Sequence, residues 1–390
     1  MSDVSKWMKM LQSFDNAVLG DYDPYSHVIR SPSPSVNFIF GNSHGLPLGF
    51  CAIFYGPPKA GKTLLTNAMI GQLHRDYPDA IAIKFDTEMR EMGQMKPSTA
   101  AAFGIDRNRY VCYQGNNPAD IFDRIEGNIN ALCQNGAPIK LIVIDSISGI
   151  RGRRDLGSKT VEQQHIGDEA KTIQDGLKRI LETIRKNKIA LILTTQVRAE
   201  MDPIEQMRGN KLKMSGSWYL KHFGEYFVYI DRNNTKDGRT SLLGEEYVDN
   251  TLADVTGKGE STGHRIRVVM KDSSVSPKGR VGEFTMDYNR GIINTHEEVF
   301  LLGVGRGIIK RPNNRTYEIE GLRYNGKPAI LEKLKHDPEL CDRIVKELIR
   351  IDLEERQQRL ITGNDFSGEE DHSDSVPDLD FEEGQSLLDG

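Results

Sequence analysis

From position 50 onward, short apolar runs alternate with longer stretches of helical period. The apolar runs are Phe50–Tyr55, Ala80–Phe85, Tyr110–Tyr113, Leu141–Asp145 and Ile189–Thr195. Continuous apolar runs of this length predict strands buried on both faces. Between them, Lys62–Tyr77, Pro118–Asn135 and His165–Lys188 carry the spacing of amphipathic helices. Such alternation predicts an α/β fold, a mostly parallel central sheet with crossover helices on its faces. Tyr226–Asp231, His264–Lys271 and Val281–Asp287 predict further strands that close the sheet. Val197–Ser217 is polar, rich in Met and Lys and without a clear period, and reads as a long mobile loop.

Outside this core the pattern changes. Val4–Leu19 has the spacing of an amphipathic helix, followed by a Pro- and Ser-rich polar link through Ser35. The expected organisation is an N-terminal helix and linker over 1–35 and a large α/β core over 36–291. A small α+β domain over 292–360, with a helix at Pro338–Arg359, and an acidic tail over 361–390 complete it. Between Asp365 and Asp389 stand ten Asp or Glu and no Lys or Arg, too charged and apolar-poor to pack. The whole chain carries a net charge of −5, so the remainder sits near +5, a balance that suits a basic groove for nucleic acid. No apolar run is long enough to span a membrane and no charged-then-apolar leader opens the chain, so a cytoplasmic protein with no membrane partner is expected. The four cysteines, Cys51, Cys112, Cys133 and Cys341, form no C-x-x-C pair and read as reduced thiols.

The chemistry begins directly after the first apolar run. Gly56-Pro57-Pro58-Lys59-Ala60-Gly61-Lys62-Thr63 fills every fixed position of G-x-x-x-x-G-K-[ST], between a predicted strand and a predicted helix. Gly56 and Gly61 let backbone N–H groups curl around phosphate, Lys62 reaches the β- and γ-phosphates, and Thr63 offers a hydroxyl to magnesium. ATP and Mg²⁺ are therefore the expected cofactors. Asp145 ends an apolar strand expected beside the first and would hold Mg²⁺ through water. Glu88 follows the strand Ala80–Phe85 and could activate water for attack on the γ-phosphate. Gln196, at the end of Ile189–Thr195, is placed to sense the γ-phosphate and pass its presence to the loop behind it. Lys62, Glu88 and Gln196 are the catalytic candidates. Arg151, Arg153 and Arg154 follow Asp145 closely, and Arg198, Arg208, Lys211 and Lys213 lie in the loop after Gln196. Both groups leave from strand ends that face a ligand crevice and suit a phosphate backbone, with Ile166, Met207 and Met214 able to wedge between bases.

These segments together resemble the RecA recombinases. The resemblance runs through Val36 to Thr63, with G-L-P-L-G before the strand and G-P-P-K-A-G-K-T after it, F-D-T-E (Phe85 to Glu88) and L-I-V-I-D-S (Leu141 to Ser146). It continues through Q-H-I-G (Gln164 to Gly167), T-Q-V-R (Thr195 to Arg198) and G-V-G-R-G-I-I-K (Gly303 to Lys310). It covers roughly residues 35 to 355, and the spacing is similar to that of phage-encoded members. The resemblance implies DNA-stimulated ATP hydrolysis and helical filaments on single-stranded DNA that pair homologous duplex and exchange strands. Single-strand binding and mediator proteins are then candidate partners. Where bacterial members have two lysines this chain has Lys271 and then Ser273, and Asp272 to Pro277 instead resembles the ATP cap of archaeal and eukaryotic relatives. That likeness implies that Lys271, Asp272 and Pro277 cover the nucleotide of a neighbouring subunit; Phe14 and Ala17 match the F-x-x-A subunit-contact motif of those same relatives. Thr99 stands where bacterial members carry an adenine-stacking Tyr. A ring-forming helicase of the same superfamily, or an ATP-binding recombination mediator without turnover, are the alternatives.

Overall fold

The computed structural model describes residues 25–90, 96–152, 167–201, 212–232 and 263–362, with the isolated positions 7, 10 and 207. The expected helix Val4–Leu19 apart from positions 7 and 10, its interface residues Phe14 and Ala17, and the acidic tail from 363 onward lie outside the described residues, as do Arg153, Arg154, Ile166, Arg208 and Lys211.

Part of the expected linker is a packed element. Strand β1 (Val28–Ile29) pairs antiparallel with β2 (Leu46–Pro47), and helix α1 (Pro34–Ile39) lies between them in sequence. Ser33 caps α1 by accepting the Val36 N–H at 3.1 Å, and Pro34 enters at a position where a missing N–H leaves nothing unsatisfied. The buried Ile29, Val36 and Ile39 are spaced too widely for a periodic signal in so short a segment.

The core continues with β3 (Cys51–Gly56), α2 (Lys62–Asp76), β4 (Ile81–Asp86), α3 (Pro97–Phe103) and β5 (Tyr110–Gln114). The expected helix Pro118–Asn135 forms as α4 (Pro118–Asp123), a π-helical stretch (Arg124–Ile129) and α5 (Asn130–Gln134) in one run. After it come β6 (Ile139–Asp145), α6 (Asp168–Lys186), β7 (Ala190–Ala199), β8 (Leu212–Met214) and α7 (Ser217–Lys221). Strands β9 (Tyr226–Arg232), β10 (Gly263–Ser273), β11 (Val281–Asp287) and β12 (Gly291–Ile293) complete the sheet.

The sheet order is β12-β11-β10-β9-β3-β7-β6-β4-β5, parallel from β9 through β5 and antiparallel from β9 to β12. Its two faces carry separate apolar layers. Ala52, Phe54, Leu141, Val143 and Ile192 face α2, whereas Ile53, Ile142, Ile144 and Leu193 face α4 and α6. Every central strand is thus buried on both sides, which is why these runs are apolar without alternation. The stretch Val197–Ser217 is not wholly irregular. Strand β7 runs on to Ala199, and β8 folds back against it with Arg198 opposite Lys213.

Residues 295–362 build a second small core from α8 (Thr295–Gly305), the hairpin strands β13 (Lys310–Asn313), β14 (Thr316–Ile319) and β15 (Leu322–Asn325), α9 (Lys327–His336) and α10 (Pro338–Thr362). Phe300, Ile309, Tyr317, Ile330, Leu334 and Ile344 fill it. This lobe is fastened to the sheet through Asp352 on α10, whose side chain is 0% exposed. Its carboxylate accepts from Arg280 at 2.7 Å and from Arg306, and lies 3.0 Å from His44 Nε2. Both guanidiniums also lie over the Phe38 ring, at 4.4 and 5.3 Å. Among the described residues no helix is long and apolar enough to cross a membrane.

Candidate functional site

Strand β3 ends at Gly56, and the chain turns through Pro57 to Gly61 into Lys62, the first residue of α2. Two glycines make this turn possible. A Cβ on Gly56 would sit 1.9 Å from the Ile230 carbonyl oxygen of β9, and Gly61, at φ 102°, would drive one to 2.4 Å from Ile266. The unpaired N–H groups of the first turn of α2 and the positive end of its dipole then face the space above the sheet, a natural anion site. Lys62 is 9% exposed and donates to the loop's own carbonyls, Gly56 at 2.8 Å and Pro57 at 2.7 Å. Burial lowers the Lys62 pKa, against the opposing pull of Asp145 and Glu88.

Asp145 sits at the C-terminal end of β6, beside this loop. Its Oδ2 accepts the Thr63 hydroxyl at 2.8 Å and its Oδ1 the Thr194 hydroxyl at 2.6 Å, with Lys84 Nζ 3.5 Å from Oδ2. Neither Thr194 nor Lys84 belongs to a motif. The sequence signal for Lys84 is a lysine inside the otherwise apolar run I-A-I-K-F.

Glu88 is held just past the end of β4. Thr87 N–H donates to the Asp145 carbonyl at 3.0 Å, and the Thr87 hydroxyl donates to the Ser146 carbonyl at 2.6 Å while accepting Ser146 N–H at 3.0 Å. Glu88 Oε1 accepts from the Ser146 hydroxyl at 3.1 Å and from Gln196 Nε2 at 3.4 Å, and Arg90 pairs with Oε2. The two candidates read from separate motifs, Glu88 and Gln196, are therefore in direct contact. Lys62, Thr63, Glu88, Asp145 and Gln196 converge at the C-terminal edge of the parallel sheet, where open α/β sheets bind ligands.

The other flank of the loop carries residues that motif reading missed. Arg232 donates to the Lys59 carbonyl at 3.2 Å and to the Tyr288 hydroxyl at 3.1 Å, and that hydroxyl lies 3.1 Å from His264 Nδ1. Tyr288 remains 39% exposed, so a fixed ring stands open beside the loop. These residues come from strands β9 to β11 and their edge, far from the loop in sequence, and nothing in their local pattern marks them. Thr99 is half-buried in α3.

A divalent cation fits the loop's donors. Thr63 Oγ1 and Asp145 Oδ2 are hard oxygens 2.8 Å apart, and among the described residues no cluster of three or more His, Cys, Asp or Glu is arranged to hold a metal alone. One hydroxyl, one carboxylate and the oxygens of a bound phosphate are the donor set that suits Mg²⁺.

Lys271, Asp272 and Pro277 do not join this site within the chain. Strand β10 runs antiparallel to β9, with Ile266 opposite Arg232 near the loop and Ser273 opposite Tyr226 at the far end. Lys271 is exposed at an irregularity between Met270 and Asp272, and Asp272 pairs with Lys278 at 2.8 Å. Of the basic candidates, Arg151 is exposed beyond β6, with its N–H on the Asn116 carbonyl. Arg198 and Lys213 face each other on the β7–β8 hairpin, Arg198 donating to the Ser215 hydroxyl and Lys213 lying 3.4 Å from Glu200. An open cavity of about 780 Å³ lies between this hairpin and the start of α6, lined among others by Gly167, Lys171, Arg198, Lys213 and Tyr219. Met207 is 89% exposed, but Met214, expected as a wedge, is 8% exposed because β8 turns it into the apolar layer under α6.

A family profile described as RecA N-terminal domain matches residues 17–253. "Protein RecA" of Corynebacterium diphtheriae is 26% identical over 371 residues, covering 94% of this chain and 88% of that protein. "Protein RecA" of Streptomyces venezuelae is 25% identical over 323 residues (82% and 75%), and that of Wigglesworthia glossinidia brevipalpis 24% identical over 326 residues (83% and 87%). With the domain match covering more than half of its 390 residues, the chain belongs to the RecA family.

Proposed function

We propose that the chain is an ATP-dependent DNA recombinase that forms helical filaments on single-stranded DNA and catalyses homologous pairing and strand exchange. The observation that carries this reading is the contact between Gln196 and Glu88, 3.4 Å apart, on a strand that continues into a basic hairpin. One side chain then links the water-activating carboxylate to Arg198 and Lys213, and nucleotide state to DNA grip.

In this reading the loop N–H groups and Lys62 bind the phosphates, with Lys62 leaving the carbonyls of Gly56 and Pro57 to do so. Thr63 and Asp145 hold Mg²⁺, which when bound neutralises phosphate charge and orients the γ-phosphoryl group. Glu88 positions the attacking water and accepts its proton, while Ser146 holds the carboxylate in place. Gln196 senses the γ-phosphate. The exposed face of Tyr288 offers a surface to the base. Lys271, Asp272 and Pro277 serve the nucleotide of a neighbouring copy, since their end of β10 points away from their own loop. Phe14 and Ala17 contribute to the same subunit interface. Arg151, Arg153, Arg154, Ile166, Arg198, Arg208, Lys211 and Lys213 contact DNA, and the chain is of the phage-encoded type, working with single-strand binding and mediator proteins. The curated relatives, each described as "Protein RecA", support this class of function.

Electron microscopy of the full chain on single-stranded DNA with a non-hydrolysable ATP analogue, alongside a strand-exchange assay, tests the proposal. Helical filaments and exchanged product are expected. Closed rings, or filaments without exchange, would overturn it.

A further inference from the structure

Strand β4 places a lysine on a face where its neighbours are apolar. Side chains alternate along a strand, so Ala82, Lys84 and Asp86 share the face covered by α2, as do Val143 and Asp145 of β6 and Ile192 and Thr194 of β7. The Lys84 side chain is 1% exposed. In register Lys84 lies opposite Val143 and Asp86 opposite Asp145, so the lysine reaches along the strands to bring Nζ within 3.5 Å of Asp145 Oδ2. That oxygen also accepts the Thr63 hydroxyl. Thr63, Lys84, Asp86, Glu88, Arg90 and Asp145 together enclose a space of about 30 Å³.

We propose that Lys84 is the built-in counter-ion of the metal-binding carboxylate, a positioning residue that keeps Asp145 from taking a divalent cation until nucleotide phosphates arrive with it. The inference rests on the nucleotide site proposed above. With Lys84 in place, the carboxylates of Asp86, Glu88 and Asp145 around this small space are balanced by Lys84 and Arg90 on its wall and by Lys62, which acts on Asp145 and Glu88 from beside it. A dication entering alone meets a buried ammonium beside its main ligand and gains little. Phosphates supply the missing negative charge, so cation and nucleotide bind as a unit. Without Lys84, the oxygens of Thr63, Asp86 and Asp145 become a hard-donor set that attracts a dication without nucleotide. A lysine that served only to fill space would produce no such gain on removal.

The test is Mn²⁺ binding to the full chain, followed by the electron-paramagnetic signal of free Mn²⁺, with and without ADP. Wild type should bind Mn²⁺ roughly tenfold or more tightly with ADP than without it. Lys84→Met should raise the affinity for Mn²⁺ alone by roughly tenfold or more, Lys84→Arg should stay at the wild-type value, and adding Asp145→Asn to Lys84→Met should abolish the gain. A folded Lys84→Met protein with unchanged affinity for Mn²⁺ alone overturns the role of Lys84. Wild type binding Mn²⁺ equally with and without ADP does so as well, and decides the matter even if Lys84→Met fails to fold. Failure of wild type to bind ADP at all would instead sink the nucleotide-site reading.

Discussion

Replacing Asp352 by Asn strikes the point where the C-terminal lobe is fastened to the sheet. Burial by itself would raise the pKa of this carboxyl, but the contacts from His44 and Arg280 and the Arg280 charge outweigh it and bring it down to about 2. A folded-state pKa below the unfolded one means that ionised Asp352 stabilises the fold at neutral pH. The drop from an ordinary 3.8 corresponds to about 2 kcal/mol at pH 7. Asn also leaves two guanidiniums, 15% and 22% exposed, without their shared anion. Breaking a buried pair from one side costs about 3–5 kcal/mol, so a loss of about 3 kcal/mol is expected at pH 7. The part due to ionisation is full above the unfolded pKa and is lost as pH falls towards the folded one. By pH 3 about half of that contribution remains, and near pH 2 little of it does. Urea unfolding of wild type and Asp352→Asn at pH 7 and pH 3 measures both numbers. Hydrogen exchange at pH 7 locates the loss, which should fall on the amides of α10 and α8. A deficit below about 1 kcal/mol at pH 7, or one that does not shrink at pH 3, would refute the argument that charge at Asp352 fastens the lobe.

Four further outcomes follow from the same structure. Lys62→Ala should abolish ATP turnover, whereas Glu88→Gln should slow it about a hundredfold or more while nucleotide still binds; turnover at the wild-type rate in Glu88→Gln would remove Glu88 from its role. Gln196→Ala should keep nucleotide affinity but lose most of the ATP-dependent gain in single-stranded DNA affinity, and full ATP dependence in a filter-binding titration would place the switch elsewhere. Deleting Asp365 to Gly390, with its ten carboxylates, should tighten DNA binding at low salt and progressively less at high salt; no change at low salt would argue against competition by the tail. Glu298 is buried where α8 meets α1, accepting from the Ser33 hydroxyl and, at 3.0 Å, from the Ser35 N–H, and burial pushes its pKa up to about 8. A raised folded pKa gives stability that is full below about 4.5 and lost as pH rises through 8, so Glu298→Gln should be the more stable protein at pH 8–9, on the order of 1–3 kcal/mol, and equal stability there in thermal unfolding would contradict it.

Local pattern and local chemistry determined much of this protein. The apolar runs at Phe50–Tyr55, Leu141–Asp145 and Ile189–Thr195 are strands because each central strand is buried on both faces, and burial of that kind leaves a continuous apolar signature. The turn from Gly56 to Thr63 was legible for a related reason: its glycines, lysine and threonine stand within one short stretch of chain. That Glu88, Asp145 and Gln196 come together could be expected because strand ends in an open sheet face the crevice.

What the sequence could not contain was distance between elements. Nothing in the composition of residues 25–35 shows that Ile29 is fully buried, because a segment so short carries no period. The contact of Gln196 with Glu88, the reach of Lys84 to Asp145 and the chain Arg232–Tyr288–His264 beside the loop all depend on strand order and register. Those are set by how β3, β4, β6, β7 and β9 pair, between residues that stand from 49 (Leu141 and Ala190) to 174 (Ala52 and Tyr226) positions apart. Met214 shows the same limit from the other side: its polar neighbours suggested a loop, and only the pairing of β8 with β7 turned it into the core. A side chain's chemistry is local, but which partners complete it is decided by packing, and packing exists only once the sheet has formed.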